Sequence, residues 1–147
     1  MSTINRSLGK TFEQVALGDT ASVTRQITAQ DIDAYAEFTG DYNATHMDEA
    51  FARQMKFPGR VAHGPITQGL IAPVIGTKLP GQGCLLVSLA TDFLKPVIAG
   101  DTITASATLV AKNAERRSIE LELRFVNQRN EDVATGKAVV KPRKPDA

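Results

Sequence analysis

Two stretches of this chain collect side chains able to move a proton. The first is Gly40-Asp41-Tyr42-Asn43-Ala44-Thr45-His46, with a carboxylate, an amide and an imidazole in one short segment. Asp41 and His46 lie five positions apart, so a turn can aim both at one small volume. A carboxylate and an imidazole around one water form an acid–base pair. One takes a proton from the water while the other delivers a proton to a substrate. The same spacing also suits a structural role, with Asp41 capping the next helix and His46 topping it. The second stretch is Ala62-His63-Gly64-Pro65, just ahead of an apolar run. A helix start exposes backbone N–H groups with a favourable dipole, and glycine lets a ligand approach the backbone closely. The Gly64 N–H can there hold a developing oxyanion. It serves equally as a turn residue, and His63 reads as structural or pocket-lining.

Composition narrows the remaining chemistry. The 147 residues include one Cys, two His and no Trp. A single Cys excludes an intrachain disulfide and a Cys-rich zinc site. Two histidines leave little room for a His-built metal site, so imidazole catalysis rests on His46 or His63. Cys84 opens the apolar run CLLV with no His near it in sequence, and reads as core rather than as an activated thiolate. No Gly-x-Ser-x-Gly elbow, phosphate loop or dinucleotide fingerprint is present. Seventeen basic against sixteen acidic side chains give a net charge of +1, too small a surplus for a protein living on nucleic-acid phosphates. The charge is uneven, however. Residues 1–57 hold 5 basic and 8 acidic side chains, and residues 112–147 hold 9 and 6. A positive lobe suits an anionic substrate, although Lys141, Arg143 and Lys144 also read as a solvated tail. The opening segment lacks the apolar stretch of a signal peptide, and no run approaches the ~20 residues that span a bilayer. A soluble, cytoplasmic protein with no membrane or nucleic-acid partner is expected.

The elements that position these residues follow from hydrophobic periodicity. Residues 20–27 alternate Ala21, Val23 and Ile27 against polar neighbours, as a half-buried strand does. Thr28 with Asp31 forms a capping box, and Ile32, Tyr35, Ala36 and Phe38 recur at helical spacing until Gly40. GDYNATH reads as a loop and DEAFARQM as a short helix with Asp48 and Glu49 in its first turn. FPGRVAHGP is irregular. ITQGLIAPVIGTKLPG is apolar nearly all round from Leu70 to Ile75, as a buried helix is, with a kink expected at Pro73. Residues 84–94, 101–111, 116–128 and 131–141 read as four meandering strands. Ile119, Leu121, Leu123 and Phe125 alternate most clearly. The expected whole is an α+β domain over residues 1–147, with its core at about 12–141 and a short polar tail. One-sided alternation implies an antiparallel sheet covered by the buried helix. Its other face and edges call for protection by an oligomer.

GDYNATHMDEAFA, FPGRVAHGP, LPGQG and FLKPVIAGDTI together resemble the MaoC-like dehydratase family, and within it the (R)-specific enoyl-CoA hydratases. The resemblance runs from about Phe12 to Lys141. It implies a hot-dog fold, a long buried helix wrapped by an antiparallel sheet of about five strands. It implies a homodimer or a dimer-based higher oligomer, with the thioester site near the interface. It also implies that Asp41 and His46 hold the water that adds to the double bond. Asn43 would shape the loop, the Gly64 N–H would hold the thioester oxygen, and His63 would line the site. No metal and no cofactor is implied. The chain departs from the family pattern at Ala44, where Pro is common, at Pro65, where an apolar residue is common, and at Gly69, Ala72 and Pro73, where relatives carry a Ser. Those departures bear on acyl-chain length and pocket shape rather than on the reaction.

The resulting expectation is a hydro-lyase that adds water to trans-2-enoyl-CoA to give (R)-3-hydroxyacyl-CoA. Alternatives on the same scaffold are a dehydratase of acyl carrier protein or of branched or dicarboxylic acyl-CoA, a thioesterase, and a non-catalytic acyl-CoA-binding module.

Overall fold

The computed structural model describes residues 3–146; Met1, Ser2 and Ala147, at the ends of the opening segment and the polar tail, lie outside it. Five strands form one antiparallel sheet: β1 (Thr20–Gln26), β2 (Leu85–Phe93), β3 (Thr102–Asn113), β4 (Ser118–Val126) and β5 (Asp132–Lys141). The period of two in SIELELRF decides the burial of β4. Ile119, Leu121, Leu123 and Phe125 are all buried on one face, opposite Val140, Ala138, Gly136 and Ala134 of β5. Small residues on that face leave room for close packing. A Cβ on Gly136 would come within 2.2 Å of the Ala90 carbonyl oxygen in β2, so β2 lies against β5 only because this position is glycine.

The strand order is β1-β3-β4-β5-β2, not a four-strand meander. β3, β4 and β5 do meander, but β2 pairs with β5 and β1 pairs with β3. The reason lies in residues 94–101. This segment hydrogen-bonds to residues 60–62 through Ala62 N–H to Val97 O and Ala99 N–H to Arg60 O, and so crosses over instead of turning back. The sheet's outer face also differs from expectation. It carries hydroxyl pairs such as Thr24 with Thr104 and ion pairs such as Lys137 with Glu120 and Arg124 with Asp132. A face so built is stable in water. The β1 edge is polar too, and Lys78 Nζ donates to its Ser22 carbonyl. Among the described residues only the β2 edge is apolar and open, with Leu85, Leu86, Val87, Phe93 and the following Leu94 exposed.

Helices cover the inner face. α1 (Ala29–Thr39) opens with the Thr28–Asp31 capping box and closes at Gly40, in the left-handed region at φ 80°. It buries Ile32 and Ala36, while Phe38 is 87% exposed. Phe38 lies six residues from Ile32, which puts it on the far side of a helix with 3.6 residues per turn. The expected buried helix is divided into α4 (Gly64–Gly69) and α5 (Ile71–Thr77) at Leu70. The break comes before Pro73, whose ring excludes the hydrogen bond to the carbonyl of Gly69 and crowds it. Leu70, Ile71, Val74 and Ile75 are buried against the sheet, but Ala72 and Pro73 face outward. Residues Ala44–Met47 form a four-residue helix, α2, where a loop was expected, and α3 (Glu49–Gln54) follows with Asp48 as its cap.

Candidate active site

The helix α2 exists because Asn43 caps it: its Oδ1 accepts from the Thr45 N–H at 3.0 Å. Asp41 in turn accepts from the Asn43 N–H at 3.1 Å through Oδ1. These local bonds make a tight unit that turns His46 toward residues 60–64. There the Val61 N–H donates to Thr45 O at 3.1 Å, and His46 Nδ1 meets the Val61 carbonyl at 2.7 Å. A carbonyl only accepts, so His46 Nδ1 carries the proton, and the neutral ring keeps its lone pair on Nε2. That Nε2 lies 3.8 Å from Asp41 Oδ2. The gap is too long for a direct hydrogen bond. It leaves two acceptors that one water molecule can serve with its two hydrogens.

His63 is the mirror of this arrangement. Its Nε2 donates to the backbone carbonyl of Asp41 at 2.9 Å, and its ring stacks on His46 with centroids 3.9 Å apart. Tyr35 packs on it at 4.7 Å. The ring is 1% exposed, and Nδ1 is buried without a hydrogen-bond partner. The structure therefore places His63 behind His46 rather than on the cleft wall.

The cleft is about 340 Å³ and is lined by His46, Ala62, Gly64, Thr67, Phe93 and Val97 among others. Gly64 opens α4, with Pro65 next at a position where its missing N–H costs nothing. A Cβ on Gly64 would meet the Phe93 ring at 3.1 Å, so the glycine lets that ring close over the helix start. Asn43 is a cap, not a lining residue. Pro65, Gly69, Ala72 and Pro73 also lie outside the cleft lining, so the departures at those positions do not shape this cavity. Cys84 is half-buried against the core, and burial pushes its thiol up from the usual range, as expected of a structural residue.

Two contributors escaped the sequence reading. Phe93 comes from the end of β2 and opens the segment FLKPVIAGDTI, but nothing in that segment singles it out as a residue of the cleft. Arg60 stands one residue before Val61 and donates through Nε to the His46 carbonyl at 2.5 Å and through Nη2 to Asp33 at 2.5 Å. It thereby satisfies a carbonyl that α2 leaves open and ties α2 to α1. A basic residue just before an irregular Val-Ala-His segment was the available signal. Asp41, His46 and His63 also bring ligand atoms within 4.8 Å of one another. His46 Nδ1 and His63 Nε2 are both committed to carbonyls, which leaves His46 Nε2, Asp41 Oδ2 and the buried His63 Nδ1 without such a bond.

Comparison with known proteins agrees with this architecture. The family pattern "MaoC like domain" matches residues 14–130. A 3-hydroxybutyryl-CoA dehydratase of Methylorubrum extorquens is 37% identical over 137 residues, covering 92% of this chain and 87% of that protein. An (R)-specific enoyl-CoA hydratase of Rhodospirillum rubrum is 35% identical over 129 residues, covering 88% and 85%. Among solved structures, the (R)-hydratase of Aeromonas caviae superimposes with a TM-score of 0.85 at 29% identity, covering 88% of this chain and 98% of that one. An R-hydratase from Pseudomonas aeruginosa in unliganded form gives 0.88 at 28%, covering 93% and 88%. No helix among the described residues is long and apolar enough to cross a membrane. With its α+β hot-dog fold and a match over most of its length, the chain belongs to the MaoC-like dehydratase family.

Proposed function

We propose that the chain works as one MaoC-like hot-dog domain that reversibly adds water to trans-2-enoyl-CoA to form (R)-3-hydroxyacyl-CoA. The observation that carries this reading is the pair His46 Nε2 and Asp41 Oδ2, 3.8 Å apart, of which His46 lines the same cleft as Gly64. Water held between the two loses a proton to the dyad as its oxygen bonds to C3. The π electrons of the double bond shift toward C2 and the carbonyl, and the enolate-like oxygen rests on the Gly64 N–H. The dyad then delivers that proton to C2 on the same face, which leaves a hydroxyl on C3 and returns the dyad to its starting state. Nothing in this sequence of steps calls for a redox cofactor. The test is loss of enoyl absorbance with crotonyl-CoA. Asp41→Asn and His46→Gln are each expected to slow turnover by about 10²- to 10⁴-fold. Full activity in both variants overturns the mechanism.

The working unit in this proposal is a homodimer in the cytoplasm. Unpaired backbone and exposed apolar side chains coincide on the β2 edge, whereas the β1 edge and the outer face are polar. Such an edge is a template for strand pairing. Val87→Asp is expected to give monomers in sedimentation; an unchanged dimer with that variant rejects β2 as the interface.

A further inference from the structure

Thr67 is a polar side chain with only 2% exposure, and it lines the cleft together with Gly64. Most of the wall is apolar, with Ala62, Phe93, Leu94, Val97 and Val133 in it. The titratable side chains of the wall are already engaged. His46 Nδ1 meets the Val61 carbonyl, and the Lys95 ammonium is paired with Glu131. The Thr67 hydroxyl is not engaged. Thr39 and Thr77, also on helices, each donate to the carbonyl four residues back, at 2.7 and 2.5 Å. Thr67 has no such bond; the His63 carbonyl in that place accepts from the Ile66 N–H at 3.0 Å. Among the described residues, only His63 Nδ1 is a side-chain polar atom both wholly enclosed and unpaired. The Thr67 oxygen, unpaired but not wholly enclosed, therefore faces the cavity that the residue lines. A hydroxyl so placed costs stability until something in the cavity meets it.

Its position says what that is. Gly64 and Thr67 are three residues apart on α4, hence neighbours on one helix face with ~5–6 Å between Cβ positions. Helical side chains lean toward the N-terminus, so the Thr67 hydroxyl lies over the turn that Gly64 opens. One oxygen atom fits between the two donors, ~2.9 Å from the Gly64 nitrogen and ~2.8 Å from the hydroxyl. The residue after Gly64 is Pro65, which has no N–H to serve as a second backbone donor. Sites that hold a developing oxyanion combine backbone N–H groups with side-chain donors.

The geometry points to Thr67 as a further catalytic residue, whose hydroxyl donates with the Gly64 N–H to the thioester oxygen as that oxygen takes up enolate charge. The assignment rests on the hydratase reading above. The charge reaches the oxygen when the water oxygen bonds to C3, and it leaves when C2 takes the proton. The hydroxyl keeps its own hydrogen throughout. The apolar wall around the pair keeps the local dielectric low, which strengthens both hydrogen bonds.

Thr67→Val keeps the shape of the side chain and removes the donor. With crotonyl-CoA, kcat is expected to fall about 10²- to 10³-fold with KM little changed. The variant should melt at or above the wild-type temperature, because an unpaired buried hydroxyl has gone. Thr67→Ser keeps the donor and most of the turnover. A raised KM at unchanged kcat, unchanged kinetics, or Thr67→Ser as slow as Thr67→Val each overturns the assignment. A Thr67→Val protein that unfolds also rejects it, since the hydroxyl then has a structural partner. A second measurement needs no turnover. Butyryl-CoA, isotope-labelled at its carbonyl carbon, has no double bond to hydrate, and its infrared carbonyl stretch falls as hydrogen bonds to the oxygen are added. The stretch of the bound thioester should rise from wild type to Thr67→Val and stay low in Thr67→Ser. One frequency in all three proteins, or no binding to the wild type, rejects the donor. A wild type that polarises this carbonyl through Thr67 but hydrates no enoyl thioester sinks the hydratase reading and leaves the contact standing.

Discussion

His46 and His63 are the same side chain, stacked 3.9 Å apart, and they do opposite things. His46 gives its Nδ1 proton to the carbonyl of Val61, two residues before His63. His63 gives its Nε2 proton to the carbonyl of Asp41, five residues before His46. Each imidazole thus straps down the segment that bears the other. What separates them is which nitrogen the strap uses. His46 spends the inner nitrogen and keeps Nε2 facing Asp41 and the cleft. His63 spends Nε2 and turns Nδ1 into the interior, where nothing meets it. Which ring keeps a lone pair beside Asp41 Oδ2 is decided by the placement of two backbone carbonyls, not by the residue type.

The contrast can be broken most sharply at the rings themselves. His46→Gln is expected to lower kcat by about 10²- to 10⁴-fold while melting close to the wild type, since its ring is not fully buried. His63→Ala should do the reverse. It empties a buried site and frees the Asp41 carbonyl, costing about 2–4 kcal/mol by urea denaturation with a smaller loss of kcat. If His63→Ala matched His46→Gln in rate and left stability intact, the two roles would be assigned the wrong way round. Gly64→Ala comes next. Its methyl meets Phe93 at 3.1 Å, so about 1–3 kcal/mol of overpacking is expected. The added Phe93→Leu change should restore stability and part of the activity. Asn43→Ala is the mildest, removing the cap of α2 at about 1 kcal/mol. Its effect on kcat should exceed its effect on KM, because the cap touches His46's helix and not the cleft.

Local patterns made much of this legible in the sequence. The capping box at Thr28 and Asp31, the alternation in β4 and the apolar helix facing the sheet are all encoded within a few residues. The proximity of Asp41 to His46 and the place of Gly64 at a helix start were legible because the chain sets them in short segments with few alternatives. Long-range choices were not. Nothing near Leu85–Phe93 says that this strand passes β3 and joins β5; that depends on residues 94–101 bonding to residues 60–62. Phe93 opens the segment FLKPVIAGDTI, but its place beside Gly64 follows from this crossover and was not legible for the same reason. Phe38 was misread as inward because a helical count at one position ignores the angle it has accumulated from Ile32.

The unequal edges of the sheet set a limit on assembly. A second copy added at β2 uses the open edge of both molecules, and the joined sheet then ends on two β1 strands. Those ends carry Arg25, threonines and the ammonium of Lys78 lying on Ser22, so no third copy finds a strand to extend. On the proposed pairing, growth along the hydrogen-bonding direction stops at ten strands. One partner then uses up the apolar edge of the other, and among the described residues no second such edge is left for a fibre to grow on.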